Sequence, residues 1–320
     1  MFPLLEDFFE ELEEEEFSAN YRRSVRTTIR GTLQVAVRRG LLDSNPVREV
    51  SPIEGGPRKV RALTARERLR LLASVDTFVS ESRYYAGSDL PDLIRFLLGT
   101  GVRIGEALAV RWKDVNLGDE PVDVDGVEIP SRSVWINGNI VNVIGKGLVR
   151  HPGKTENAER FIALPEFVMT MLTVRLLTVW SAAKSAELSV EPAAVLEQLS
   201  DAGHLTTTSG DTVRIVGGHE SMPSVLDEPA FPSRTLGWKN PNNVRRSWRI
   251  VREAIGVEWV TPHVFRKTAA TILDDEKLTA RQIADILGHA RPSTTMDHYL
   301  GRGTVNEAAA AVLNAAFGAP

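Results

Sequence analysis

A chain of 320 residues, 42% hydrophobic and 25% charged, is ordinary for a folded globular protein and is long enough for two domains. It has no cysteine, which excludes disulfides, iron–sulfur clusters, thiolate zinc sites and cysteine nucleophiles. No apolar run approaches the roughly 20 residues that cross a bilayer. The acidic start MFPLLEDFFEELEEEEF is the opposite of a basic secretory leader, so the expectation is a cytoplasmic protein without a membrane anchor.

The predicted elements begin with a helix from Leu4 to Glu16 and a second from Asn20 to Gly40, with Val25, Ile29, Leu33, Val35 and Val37 approximating one stripe. Gly40 is a stop signal and Asn45-Pro46 closes the unit. This gives a helical domain over residues 1–50, a Pro/Gly-rich linker over 51–61, and a larger domain over 62–320. Thr64 and Glu67 form a capping-box pair ahead of the next helix. A helix over Asp89 to Leu98 is expected to break at Gly99-Thr100-Gly101, before a helix that holds Arg103 and Glu106. From Val122 to Leu164 the pattern alternates, as in SVWINGNIVNVIG and RFIALP, and reads as a small antiparallel sheet. Helical patterns return at Glu166, interrupted by an irregular insertion over 183–232, and end in a helical tail over 304–317. The fold class is therefore mainly α with a small antiparallel sheet (α+β).

The net charge of −4 argues against a polyanionic partner, but the charges are segregated. Residues 1–16 carry eight acids and no base, residues 17–61 ten bases against three acids, and residues 234–267 eight bases against two acids. A polyanion meets a face of the molecule and not its total charge. The candidates for DNA contact are Arg22, Arg23, Arg26 and Arg30 in the first basic run and Arg245 and Arg246 in the second; the bland alternative is a solvated helix face.

Four segments hold groups capable of chemistry. In Thr261-Pro-His263-Val-Phe-Arg266, a cap residue and a first-turn proline start a helix, and His263 and Arg266 share its first turn, where free backbone donors favour an anion. In Thr279-Ala-Arg-Gln282-Ile-Ala-Asp-Ile-Leu-Gly288-His289, a capping box and a left-handed glycine bracket a short helix, so His289 sits just past its end; Tyr299 follows ten residues later. Leu98-Gly-Thr-Gly-Val-Arg103-Ile-Gly-Glu106 has the wrong glycine spacing, and no preceding strand, for a dinucleotide loop. Arg103 there is either a phosphate ligand or a partner of Glu106. Gly153-Lys154-Thr155 lies near the turn of an expected hairpin, ahead of Arg160. His204 and His219 lack partners, so no metal site is expected.

Taken in order, TGVRIGEAL, a hairpin lysine before an R-x-x-x-L-P strand, H-x-x-R, LGH and a tyrosine ten residues on resemble the tyrosine recombinase (phage integrase) family. The resemblance runs from about Leu63 to Leu300. It implies a catalytic domain after a helical core-binding domain, the latter shorter here than is usual and expected to be N-terminally truncated. It implies Tyr299 as nucleophile, Arg103 and Arg266 as the arginines on the scissile phosphate, and His263 and His289 as the site's histidines. Lys154 would protonate the leaving 5′ oxygen, with Lys146 of Gly-Lys-Gly competing for that role. The implied activity is site-specific strand exchange through a 3′-phosphotyrosine and a Holliday junction, with no cofactor, metal or ATP. The implied partners are a double-stranded core or attachment site and a homotetramer on DNA, with room for an excisionase and a host DNA-bending protein. A type IB topoisomerase-like enzyme and a truncated DNA-binding remnant are the other readings.

Overall fold

The computed structural model describes residues 2–54, 61–152, 159–188, 205–208, 212–215 and 226–288. The chain divides into two compact units, residues 1–59 and 60–320.

The first unit holds helices α1 (Phe2–Glu14) and α2 (Ala19–Arg38) and a 3-10 turn at Pro46–Arg48. Leu5, Phe9 and Leu12 recur at helical spacing on α1 and bury against Val47 and Val50, with Val25, Ile29 and Leu33 of α2 alongside. Gly40 takes the left-handed conformation (φ 69°) just past the end of α2, as its stop signal requires. Two arginines expected at DNA have structural work here. Arg22 is 7% exposed and paired with Glu13 at 2.7 Å. Arg26 donates to the carbonyls of Val47, Val50 and Ser51 at 3.2, 2.5 and 3.0 Å. The end of a tight turn leaves carbonyls without helical partners, and a neighbouring guanidinium satisfies them. Arg23 is exposed and donates to the Ile53 carbonyl at 3.0 Å, and Arg30 is exposed on α2.

In the second unit, α3 (Ala65–Glu81) starts on the expected capping box: Thr64 Oγ1 accepts from the Glu67 amide at 3.3 Å, and Glu67 accepts from the Thr64 amide at 2.8 Å. Helix α4 (Leu90–Thr100) buries Leu93, Ile94, Phe96 and Leu97. It does not break at Gly99. It runs through Gly99 and Thr100 and ends on Gly101 in the left-handed conformation (φ 65°). Gly99 serves close packing instead: a Cβ there would stand 2.4 Å from Val168 Cγ2 on α6 (Glu166–Leu188). The short α5 (Ile104–Ala107) follows.

Strands β1 (Val115–Asn116), β4 (Ser133–Ile136) and β7 (Arg160–Ala163) form an antiparallel sheet in the order β1-β4-β7. Val134, Ile136 and Ile162 point to the core, while Trp135 and Phe161 pair across the other face with ring centroids 6.2 Å apart. Two hairpins leave this sheet: β2 (Val122–Val124) with β3 (Val127–Ile129), and β5 (Asn139–Val143) with β6 (Gly147–His151). Strands β8 (Leu205–Thr208) and β9 (Thr212–Ile215) pair within the stretch expected to be an irregular insertion. That expectation needs correction at both ends. Helix α6 continues to Leu188, and residues 226–230 bond to the backbone of 110–113, as in Ala230 N to Val110 O at 2.9 Å. Ala230 and Phe231 are fully buried. Two apolar residues are too short a signal to show a period.

Three helices complete the described chain: α7 (Pro241–Ala254), α8 (Pro262–Asp275) and α9 (Ala280–Leu287). Val244, Trp248 and Val251 turn inward from α7, and Trp248 Nε1 donates to the Val260 carbonyl at 2.7 Å. Asp89 at the start of α4 pairs with Lys239 and Arg175, which ties the entry of α7 to α4 and α6. Among the described residues no helix is long and apolar enough to cross a membrane.

Two glycines in helices separate packing from propensity. Gly31 in α2 has nothing within 4 Å of a new Cβ, whereas Gly99 has Val168 at 2.4 Å. Gly31→Ala should stabilise its unit by about 0.5–1 kcal/mol. Gly99→Ala should destabilise the second unit by about 1–3 kcal/mol despite the same gain in propensity. Chemical denaturation of each variant reads both signs.

Candidate active site

The site is built on Arg266. It is 1% exposed, yet it lines a cleft, because α8 packs its first turn against the C-terminal ends of two other helices. Its Nη1 donates to the carbonyl of Gly101, which ends α4, at 2.9 Å. Its Nη2 donates to the carbonyl of Leu287, the last residue of α9, at 2.6 Å. Carbonyls at helix ends lack helical partners and carry the negative pole of the helix, so they compensate a buried cation well. Close approach demands glycine at the α4 end, since a Cβ on Gly101 would stand 2.8 Å from Leu287 Cδ2 and 3.2 Å from Ala269 Cβ.

Arg103 precedes α5, and Glu106 one turn later holds it. The Glu106 carboxylate accepts from Arg103 Nη1 at 2.7 Å and from the Arg103 amide at 3.0 Å. Its second oxygen also accepts from Arg160 Nη2 at 2.8 Å. Both alternatives for Arg103 are thus compatible: it pairs with Glu106, and at 49% side-chain exposure it still faces the cleft. Burial works to raise the pKa of Glu106, but the charges of Arg160 and Arg103 outweigh it and hold the carboxyl below its ordinary value of 4.5. Helix α5 approaches β5 so closely that a Cβ on Gly105 would meet Asn139 Oδ1 at 2.1 Å.

The cleft has a volume of about 430 Å³ and brings Arg103, His263 and Arg266 together with Arg245, Arg249 and Arg252 of α7. His263 is exposed at the start of α8, where Pro262 takes the first helical position. Thr261 caps that helix only through its backbone, without the expected side-chain bond. The arginines of α7 follow helical geometry. Val244, Trp248 and Val251 bury one stripe, and the residues one position later line the cleft. Arg245 was a candidate and lies in the cleft, while Arg246 is exposed outside its lining. Arg249 and Arg252 were overlooked, although their 245/249/252 spacing beside the apolar stripe is legible. The Nε of Arg252 is buried without a hydrogen-bond partner among the described residues.

Lys154, His289 and Tyr299 lie outside the described residues. Their approaches are described. His289 directly follows Gly288, which ends α9 in the left-handed conformation (φ 67°) after the capping box of Thr279 and Gln282, as expected. The hairpin turn near the sheet belongs to Ile144, Gly145 and Lys146, between β5 and β6, and not to Lys154. Lys146 is exposed there, whereas Lys154 falls in the connection from β6 to β7. Among the described residues no cluster of three or more histidine, aspartate or glutamate side chains is arranged to hold a metal.

A helical scaffold thus gathers Arg103, His263 and Arg266 in one cleft, with a glycine-ended helix leading to His289. The profile of the phage integrase family matches residues 61–302, and the chain belongs to that family. Over 137 residues it is 29% identical to tyrosine recombinase XerC of Vibrio cholerae, a stretch covering 42% of this chain and 41% of that protein. The chain thus aligns with well under half the length of the curated relatives it matches. Among solved structures, the Tn1549 transposon integrase in complex with circular intermediate DNA superposes with a TM-score of 0.63 at 15% identity, covering 96% of this chain and 83% of that one. A lambda integrase dimer bound to a core site gives 0.52 at 16% identity, covering 94% and 80%. At these identities the likeness is one of fold, mainly α with small antiparallel sheets.

The Glu106 arrangement sets a pH dependence. A carboxyl whose folded pKa lies below its unfolded value of 4.5 contributes stability above that value and loses it as pH falls through the folded pKa. Glu106→Gln should cost about 3 kcal/mol near neutrality, because it removes the carboxylate from a buried ion pair with Arg160. The difference from the wild-type chain should hold level above about pH 5 and shrink in more acid solution. Denaturant titrations across that range check both statements.

Proposed function

We propose that this chain is a site-specific DNA recombinase of the integrase type, which cuts and rejoins DNA through a 3′-phosphotyrosine. The carrying observation is the cleft that gathers Arg103, His263 and Arg266 beside the arginine stripe of α7. Residues 1–59 act as the core-binding domain, and the rest as the catalytic domain. The partner is a double-stranded core or attachment site, on which four copies exchange strands through a Holliday junction.

The reaction follows from the groups. The phosphorus of a phosphodiester in the cleft is attacked by Tyr299 Oη. A bond forms between that oxygen and phosphorus, and the bond to the 5′ oxygen breaks. Negative charge grows on the non-bridging oxygens, where Arg103 and Arg266 neutralise it with forked, charge-assisted hydrogen bonds. An unperturbed tyrosine has a pKa of about 10, so its proton needs an acceptor. One histidine takes that proton and the other donates to the phosphate, roles that His289 and His263 share. Lys154 gives the proton that makes the 5′ hydroxyl leave. The phosphotyrosine conserves the bond, so the reverse attack by a 5′ hydroxyl reseals the strand without ATP. The charge on the phosphate is met by arginine, and the step draws on no metal.

Preorganisation favours this reading over a general phosphate site. Arg266 is already desolvated and fixed by two helix ends, so little reorganisation remains when charge develops. Arg245, Arg249 and Arg252 lie next to it on a rigid helix and suit the phosphates that flank the cut. A topoisomerase-like enzyme would share the chemistry but relax supercoils without a specific site.

The first test uses a pool of nicked duplexes randomised through the core. The wild-type chain should form a covalent adduct in the presence of chelator, and Tyr299→Phe should form none. An adduct surviving in Tyr299→Phe removes that residue from the role, and no adduct with the wild-type chain removes the reading. The second prediction concerns α7. Arg249→Gln and Arg252→Gln should each lower the slope of log affinity against log salt by about 0.9 and weaken binding to all sequences alike. Titrations at several salt concentrations measure this, and an unchanged slope assigns those arginines to the fold.

A further inference from the structure

The residue that joins the parts of this site is Arg160, the first residue of β7, paired in register with Ile136 of β4. Its side chain is 8% exposed. It reaches two other elements at once. Nε donates to the carbonyl of Ile286 near the end of α9 at 2.8 Å. Nη2 donates to Glu106 at 2.8 Å, and Glu106 in turn holds Arg103 at 2.7 Å. The guanidinium also fills the space where a Cβ on Gly288 would stand, with Nη1 at 2.6 Å, so the residue before His289 has room only for hydrogen.

We propose that Arg160 is a positioning residue of the strand-transfer site, whose guanidinium locks together the segment that carries Arg103 and the helix end that leads to His289. The inference rests on the strand-transfer reading above. Arg103 is reached through Glu106, and His289 is the residue after Gly288. A buried cation is costly unless it is paired and fully hydrogen-bonded. Here a carboxylate and a helix-end carbonyl contribute to that compensation from two different elements. A planar fork can point at both partners at once; the point charge of lysine cannot.

A simple fold staple and a positioning residue make different demands. A staple costs stability, and activity falls only with the folded fraction. A positioning residue costs the chemical step while the folded protein still binds DNA. It also leaves a mark in pH. The charged groups that act on Glu106 are Arg160 from β7 and Arg103 from the start of its own helix, and β5 packs the uncharged Asn139 and Ile140 against that helix. Without Arg160, burial of the Glu106 carboxyl is opposed by Arg103 alone, so its protonation moves toward neutral pH and releases Arg103 on the acid side.

The experiment uses the full chain and the duplexes that trap it from the randomised pool. Single-turnover adduct formation is measured at saturating protein, with DNA affinity and thermal melting alongside, for Arg160→Met, Arg160→Lys and Arg160→Met with Glu106→Gln. Folded Arg160→Met should bind within about 3-fold of the wild type but cleave about 100-fold more slowly, the usual effect of a displaced catalytic group. Its rate should gain an acidic limb that the double variant lacks. Arg160→Lys serves if Arg160→Met does not fold, and should keep affinity while remaining at least about 10-fold slow. A folded Arg160→Lys with the wild-type rate and pH profile overturns the proposal. So does a loss of rate matched by loss of affinity with no new limb, which would leave Arg160 a staple. No adduct from the wild-type chain on any duplex defeats the strand-transfer reading, and this inference falls with it.

Discussion

Neutralising a buried guanidinium with the ends of helices is the constraint on which the larger unit depends. Arg266 sits almost wholly out of water, and its charge is compensated by the terminal carbonyls of two helices that meet at its fork. That arrangement dictates where the helices stop. Helix α4 must end on a left-handed glycine so that its last carbonyl turns toward α8, and α9 must end close by for the same reason. Arg160 repeats the device one residue earlier, at the Ile286 carbonyl. The end of α9 is therefore pinned by two arginines before the chain reaches His289. The negative poles of helices, usually left to water or capping groups, here serve as counter-charge for buried arginines.

Such a site shows how an acidic chain can present a locally basic cleft. The net charge of −4 is an average over eight acids near the N-terminus and two basic runs. What matters locally is that Arg103, Arg266 and three arginines of α7 converge on a cleft with low-dielectric walls, where positive potential is focused. The opposing carboxylate, Glu106, is buried behind Arg103 and Arg160. It orients the cations while keeping its own charge away from the open side of the cleft.

The two basic runs turned out to be unlike. In α7 the arginines stand off a helix whose apolar stripe is satisfied by the core, so their charge is available to the cleft. In α2 the run is divided, with Arg22 closing an ion pair and Arg26 closing a turn. A basic count cannot separate these cases, because the distinction depends on which carbonyls and carboxylates the fold leaves nearby.

What the sequence determined by itself was local and periodic. The capping boxes at Thr64 and Thr279 and the left-handed stops at Gly40 and Gly288 are set by backbone hydrogen bonding within a few residues, and each is where its signal places it, while the apolar stripe of α2 holds at Val25, Ile29 and Leu33 but not at the exposed Val35. The pairing of Arg103 with Glu106 is also local, being one helical turn apart. The order of the motifs placed the chain in its family. Tertiary structure decided everything that rests on distant partners. Gly99 looked like a break and is a contact surface, because Val168 lies 69 positions away in the sequence. Residues 226–231 looked irregular and form part of the core, because their ladder partner is at 110–113. Arg160 looked like the start of a strand, and its importance came from Glu106 and Ile286, which belong to other elements. Side-chain periodicity encodes which face of an element is buried, but the identity of the group on the far side of that face is fixed only when the chain has folded.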